Sequence, residues 1–313
     1  MAMKTAFLFP GQGAQAVGMG QDLCEQSPTA ASMFEQAEAI SGLPLRTLCF
    51  EGPQDELNRT DIAQPAIFTA SAAMLAVMGE RLGDAMPTPD VMAGLSLGEY
   101  TALYAAGAMD FETAVMLVTK RGAAMQEAAV SVPSGMVSVM GLDEAQAQAL
   151  CDAAAQGDIL TCANFNAPGQ IVLSGATDAC KRVAEMAEAH GASGAVELQV
   201  AGAFHSAIMA PAAEKLAGAI EAASFADPTT PVIANVDAQP YSGASDIKDK
   251  LLAQLTGSVR WAQSMQLLLS EGLENPFEVG PGRVLTGLMR RIDRKCRVKT
   301  VNSLEAITKI AEA

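Results

Sequence analysis

The stretch Val91-Met92-Ala93-Gly94-Leu95-Ser96-Leu97-Gly98-Glu99-Tyr100 places one serine between two glycines at a change of periodicity. DVMAGLS reads as a short apolar strand, and GEYTALYAAGA carries apolar residues at helical spacing until Gly107 breaks the run. Ser96 falls on the turn between them. In a G-x-S-x-G elbow the glycines permit a crowded bend and the serine oxygen projects clear of the sheet. The following amide and the helix N-terminus then face a developing oxyanion. The motif is short, and an ordinary strand-to-helix loop satisfies it too. A strand before and a helix after favour the nucleophile.

Working outward, TAFLF reads as a strand followed by the GQGAQ loop, and Met19 to Ile40 reads as helical. Further helices are expected at Ile62 to Arg81 and Phe111 to Ala129. Strands and helices in alternation predict an α/β fold with a mainly parallel sheet. The pattern changes from about Ser134: strand GMVSVMG, a helix from near Asp143, strands ILTCANF and QIVLSG, a helix from near Thr177, strand AVELQV. That βαββαβ order is the ferredoxin-like arrangement, with Asn166-Ala167-Pro168-Gly169 as its hairpin turn. The expected organisation is a large α/β domain, residues 1–129 and 201–313, interrupted by a small ferredoxin-like domain at 130–200. The cleft between them is the natural place for a substrate.

At 313 residues, half of them hydrophobic, the chain can bury a large core. Its apolar runs are cut by Gly, Asp, Glu and Lys, so no segment is expected to supply the roughly 20 apolar residues that cross a bilayer. The opening MAMKTAFLFPGQG is too short in apolar run for a secretory signal. Six cysteines are scattered without close pairs, which suits reduced thiols in the cytoplasm. Two histidines and no cysteine pair leave too few ligands for zinc, so neither metal nor organic cofactor is expected, and nothing demands an oligomer. A net charge of −15 argues against nucleic acid as a partner. Yet Arg283, Arg290, Arg291, Arg294, Lys295, Arg297 and Lys299 cluster with only Asp293 among them. They form either a solvated helix face or a patch that steers an anionic ligand, such as a CoA phosphate or an acidic carrier protein.

A serine nucleophile needs a base, and there are two histidines to consider. His190 precedes Gly191 at the end of a helical run, where imidazole complements exposed carbonyls. His205, in AGAFHSAIMAP, is expected just after a strand where the chain returns from the insertion, and paired with the elbow it is the better base. Gly11-x-Gly13-x-x-Ala16 formally matches a dinucleotide fingerprint but lacks the following strand with its ribose-binding acid. The same loop could instead be a plain glycine turn, or lend an amide to an oxyanion hole. Arg121 lies on a mostly apolar helix. It either snorkels to solvent or, if turned inward, demands an anion such as a substrate carboxylate.

Together, FPGQGAQ, GLSLGEY, Arg121 within KRGAAMQEA, AFHS, QLTGSVRW and EVGPGRVLTGL resemble the malonyl-CoA:acyl carrier protein transacylases in order and spacing, from Phe7 to about Arg291. The resemblance implies a hydrolase-like α/β domain with a ferredoxin-like insertion. It implies Ser96 as nucleophile, His205 as base and Arg121 as clamp for the malonyl carboxylate. The amides of Gln12 and Leu97 would form the oxyanion hole, and the Gln254 backbone carbonyl would orient His205 where many hydrolases use aspartate. The implied partners are malonyl-CoA, as substrate, and acyl carrier protein, whose docking falls to Arg283, Arg290 and Arg291. One departure stands out: Leu95 occupies a position that is usually histidine in that family. In related polyketide acyltransferases an AFH sequence accompanies malonyl specificity, which Phe204 fits.

The reaction so implied is malonyl transfer for fatty acid biosynthesis through a malonyl-serine ester. Three alternatives share parts of the same sequence: a trans-acting malonyl acyltransferase of a polyketide pathway, a serine esterase or thioesterase, and a nucleotide-binding module without covalent chemistry.

Overall fold

The computed structural model describes residues 4–312. The stretch weighed as a secretory signal includes residues 1–3, which lie outside this range, as does Ala313 at the end of the large domain. Five strands form one parallel sheet: β1 (Lys4–Phe9), β2 (Val91–Gly94), β7 (Val232–Ile233), β8 (Leu273–Val279) and β9 (Lys299–Val301). Their order is β7-β2-β1-β8-β9. Alternation along β1 separates two cores. Phe7 and Phe9 face the helices Thr60–Leu82 and Phe111–Ser131, while Ala6 and Leu8 face Trp261, Met265 and Leu285. Helices therefore cover both faces, as a parallel sheet requires.

The expected elements are present, with three revisions on this side of the molecule. The run from Met19 to Ile40 is two helices, Gln21–Gln26 and Pro28–Ser41. Ser27 between them accepts from the Ala30 amide at 3.2 Å, and Pro28 starts the second helix because its fixed φ suits a first turn. The second revision concerns length: the helix Thr60–Leu82 is long and apolar enough to cross a bilayer, contrary to the expectation from interrupted runs. It is a core helix, buried over most of that window and packed against Phe111–Ser131. Third, no helix follows the Gly11–Gly13 loop directly, since the next begins at Gln21, so the dinucleotide reading loses the helix N-terminus it needs.

The other four strands, β3 (Ser134–Met140), β4 (Leu160–Ala167), β5 (Gln170–Ala176) and β6 (Gly194–Glu197), form an antiparallel sheet in the order β4-β5-β3-β6. With helices Glu144–Ala155 and Thr177–Met186 between them, this is the ferredoxin-like order. Val137, Val139, Leu150, Cys162, Leu173 and Val183 give it a core of its own. Asp143 caps the first helix in a reciprocal capping box with Gln146, and Gly169, at φ 70°, closes the β4–β5 hairpin. The strand predicted to reach Val200 stops at Glu197. Leu198 still donates to Met136 O, but the Val200 amide folds back onto Leu198 O at 3.0 Å, which releases Leu198, Gln199 and Val200 from the sheet into the cleft. The outer strand of this sheet is tied to the chain that follows helix Ala244–Thr256. Val259 donates to Ala163 O at 2.8 Å and accepts from the Phe165 amide at 2.9 Å.

Candidate active site

Parallel pairing decides what meets at the elbow. β1 lies beside β2 with Phe9 opposite Gly94, and β7 flanks β2 on its other side. The loops leaving all three strands consequently emerge together: Gln12 after β1, Ser96 after β2, Asn235 after β7. Ser96 sits at φ 52°, ψ −102°, a conformation that costs a non-glycine residue on the order of 1–3 kcal/mol. The flanking glycines make room for it. A Cβ on Gly94 would lie 1.9 Å from Gly98 backbone, one on Gly98 would lie 2.1 Å from Phe9 O, and one on Gly11 would lie 2.2 Å from Leu95 O. Asn235 then fastens the bend, its Oδ1 accepting from Ser96 N and its Nδ2 donating to Gly94 O, both at 2.7 Å.

His205 meets Ser96 directly, Nε2 to Oγ at 2.8 Å. On its other side Nδ1 donates to Gln254 O at 2.7 Å, which selects the tautomer whose Nε2 lone pair faces the serine hydroxyl. His205 does not follow a strand as expected. β6 ends at Glu197, the irregular Leu198–Phe204 intervenes, and His205 occupies a tight turn at φ 57°. Burial, followed by the positive charge of Arg121, lowers its pKa to about 4, against the pull of the Gln254 carbonyl. At neutral pH the imidazole is therefore uncharged.

Arg121 is turned inward, 1% exposed on helix Phe111–Ser131. Gly122 beside it allows the close approach of Thr60 backbone, which brings Gln64 against the guanidinium. Nη1 donates to Gln64 Oε1 at 2.6 Å, while Nη2 donates to Gln254 Oε1 at 2.7 Å and to Ser96 Oγ at 3.1 Å. The guanidinium carbon stands 5.3 Å from the Tyr100 ring centroid, and Nε has no partner among the described residues. Arg121 has no carboxylate within ion-pair distance among the described residues, so its charge faces the cleft beside the serine.

Behind these groups lies a polar layer that the sequence reading passed over. Glu99, one turn beyond Ser96, is 1% exposed. Its Oε1 accepts from Tyr241 OH at 2.5 Å and from Asn235 N at 3.1 Å, and its Oε2 accepts from Gln254 Nε2. Gln254 Nε2 also donates to Ser96 O at 2.9 Å. Gln64, Glu99, Asn235, Tyr241 and the side chain of Gln254 were not singled out in advance. The one available signal was Glu99, a lone charge in an otherwise apolar helix.

The cleft, about 450 Å³, lies between the two sheets. Ser96, His205 and Arg121 line it with Gln12 and Leu97 from the elbow side and Asn164, Asn166 and Gln170 from the small sheet. The amides of Gln12 and Leu97 donate to nothing among the described residues. Leu95 and Phe204 supply apolar wall, Leu95 packing against the Trp261 side of the core. At the rim, helix Val284–Ile292 turns Val284 and Leu288 toward the cleft, with Arg283, Arg290 and Arg291 exposed. None of these three forms an ion pair among the described residues. His190 is remote from the cleft; it ends a short 3-10 turn and its Nδ1 contacts Met186 O at 3.0 Å. No group of three or more His, Cys, Asp or Glu is placed to hold a metal ion among the described residues.

Fold and site together put the chain among the α/β acyl-transfer enzymes. Residues 6–294 match the acyl transferase domain family. The malonyl CoA-acyl carrier protein transacylase of Bacillus subtilis is 43% identical over 97% of this chain and 95% of its own length. The solved malonyl CoA-acyl carrier protein transacylase of Coxiella burnetii superposes with a TM-score of 0.94 at 40% identity, covering 99% of this chain and 97% of the other. A malonyl-transacylase solved in complex with a type II PKS acyl-carrier protein gives 0.92 at 40% identity, with 99% of both chains covered. The chain belongs to the malonyl CoA-acyl carrier protein transacylase family.

Proposed function

We propose that the chain transfers a malonyl group from malonyl-CoA to the phosphopantetheine thiol of acyl carrier protein, supplying extender units for fatty acid biosynthesis. The observation that carries this reading is the convergence of two side chains on one oxygen: His205 Nε2 and Arg121 Nη2 both contact Ser96 Oγ. The first makes that oxygen a nucleophile. The second places a guanidinium where an acyl group on the serine ends in a carboxylate.

In the first half-reaction His205 Nε2 takes the hydroxyl proton as Ser96 Oγ attacks the thioester carbonyl. The amides of Gln12 and Leu97 receive the oxyanion, each such donor being worth about 2.7–4 kcal/mol in a preorganised site. The C–S bond then breaks, the imidazolium returns its proton to the CoA sulfur, and a malonyl-Ser96 ester remains. In the second half-reaction the carrier thiol gives its proton to His205 and attacks the ester. The bond to Ser96 Oγ breaks, the imidazolium returns the proton to that oxygen, and the malonyl group leaves as the carrier's thioester. The malonyl carboxylate on Arg121 also offsets the charge that depresses His205, so a bound substrate strengthens the base. The chemistry calls for no cofactor, malonyl-CoA being a substrate.

The exposed arginines Arg283, Arg290 and Arg291 at the rim are the docking surface for an acidic carrier in this reading. Residues 130–200 act as a small domain inserted between 1–129 and 201–313 and roof the cleft. Six cysteines without a disulfide suit the cytoplasm. A polyketide carrier is the second reading, supported by the relative solved with a type II PKS acyl-carrier protein.

Intact-mass measurement after mixing with malonyl-CoA tests the whole. The expected result is a stable malonyl adduct on Ser96 that moves to phosphopantetheinylated carrier when it is added. Rapid release of malonate would instead mark a hydrolase, and absence of any adduct would mark a binding protein. Offering fatty-acid and polyketide carriers side by side separates the two readings of the carrier.

A further inference from the structure

We infer that Glu99 is a positioning residue for malonyl selection: its buried carboxylate fixes which end of the Gln254 amide faces Arg121, and so keeps the guanidinium aimed at Ser96. This rests on the transferase reading above and names a residue that supports it from beneath the elbow.

A glutamine side chain can present either its oxygen or its NH2 to a neighbour, whereas a guanidinium has only donors to offer. Arg121 Nη2 is held at 2.7 Å only when Gln254 shows it Oε1. The donor-only guanidinium and the Ser96 carbonyl favour that orientation, and Glu99 locks it from the far side, because an ionised carboxylate only accepts. Oε2 of Glu99 takes one hydrogen of Gln254 Nε2, and Ser96 O takes the other at 2.9 Å. Both ends of the amide are thereby assigned. The result is an arginine and a glutamate, each 1% exposed, connected through one amide rather than touching.

A buried acid without a direct cation is costly, so its surroundings show what sustains it. All three groups in hydrogen-bond contact with Glu99 are donors: Asn235 N, Tyr241 OH and Gln254 Nε2. Burial pushes its pKa up to about 7, while those three bonds and the charge of Arg121 hold it down. Gln254 is itself anchored twice more, its backbone carbonyl on His205 and its helix on the chain that pairs with β4. The backbone carbonyl stays in place whichever way the side-chain amide points. Glu99 thus acts most directly on the Arg121 side of the site, while the Gln254 carbonyl keeps His205, and the Asn235 side chain keeps the Ser96 bend, in place.

Glu99→Gln and Glu99→Asp separate this role from simple packing. In Glu99→Gln the two donors at the Oε1 position retain the new amide oxygen, which turns its NH2 toward Gln254 NH2, so that amide must either flip against Arg121 or draw away from it. Above pH 7, where Glu99 of the parent chain is ionised, we expect the ratio of Ser96 acylation by malonyl-CoA to that by acetyl-CoA to fall about tenfold or more, the scale of a hydrogen bond to a charged group. Labelling of Ser96 by an uncharged fluorophosphonate should stay within about threefold of the parent chain, on the scale of a neutral hydrogen bond. Glu99→Asp, which loses volume but keeps an acceptor-only group, should retain more of the ratio than Glu99→Gln. A packing role predicts the reverse rank, and that result, or an unchanged ratio in Glu99→Gln, would overturn the inference. Should the parent chain itself accept no malonyl group, the transferase reading fails instead.

Discussion

Arg121 and the arginines of the rim helix border one cleft under opposite physical conditions. Arg121 is 1% exposed, its Nη1 and Nη2 committed to Gln64, Gln254 and Ser96. Arg283, Arg290 and Arg291 are exposed and without ion pairs among the described residues. A guanidinium held in a dry, fixed frame can read the geometry of one carboxylate, because moving it means leaving amide oxygens unsatisfied. A mobile, hydrated guanidinium reads only the field of its partner, and salt weakens it. The comparison teaches that, in the roles proposed for them, substrate choice and carrier recruitment are separable, one depending on hydrogen-bond geometry and the other on net charge.

The most severe break falls on the buried member. Arg121→Ala should lower kcat/KM for malonyl-CoA by about 10²–10³-fold, the scale of removing one partner from a desolvated charge pair. Acetyl transfer should be spared or raised, since acetyl has no carboxylate to lose. Parallel kinetics with the two donors decide the matter, and equal loss toward both would remove Arg121 from acyl selection.

Burial, with the same charge as the second cause, sets a pH signature at His205. With its pKa lowered to about 4 from the ordinary 6.5, the imidazole should stay neutral and active far into acid. We expect kcat/KM for Ser96 acylation by acetyl-CoA, which does not depend on the Glu99–Gln254–Arg121 arrangement, to hold between pH 7 and 5 and to halve near pH 4. An ordinary histidine would already cost about thirtyfold at pH 5. The sign for stability is the same. The unfolded chain protonates His205 near 6.5 and the folded one only near 4, so this group's contribution falls as pH drops through that window. Glu99, raised to about 7 from 4.5, runs the other way: its contribution is complete below 4.5 and fades as pH rises through 7. Melting curves across pH 4–8 must therefore accompany the kinetics.

What could be read in advance follows the range of the constraint. The elbow was legible because Gly94, Ser96 and Gly98 answer a local demand for backbone room, and a glycine is visible in a sequence. The βαββαβ order was legible because each element of the small sheet follows the last with short turns. Three strands of the large sheet went unremarked. β7 has two residues, β9 has three, and β8 contains Pro276, which argues against a central strand. Those strands exist through parallel pairings between distant segments. Gln64, Asn235 and Glu99 were missed for the same reason: a polar residue in an apolar segment acquires meaning only from partners that the fold delivers. The position of His205 was misread because β6 ends early, yet its pairing with Ser96 survives, since three-dimensional proximity and not strand attachment is what the chemistry needs.

The gentlest break falls on the rim. Arg290→Glu with Arg291→Glu changes the local charge by about four units while touching no group that lines the cleft. If the rim helix recruits an acidic carrier through its field, the KM for carrier should rise about tenfold at low salt, within the range that steering contributes to association. Adding salt should shrink the difference between parent and variant, because screening removes from the parent what the substitutions have already removed. Self-acylation by malonyl-CoA should change little. Carrier titrations at low and high ionic strength make the test, and a KM that rises equally at both would point to a direct contact instead of a field. An unchanged KM would move the docking surface off this helix, leaving only Arg121 with a defined partner.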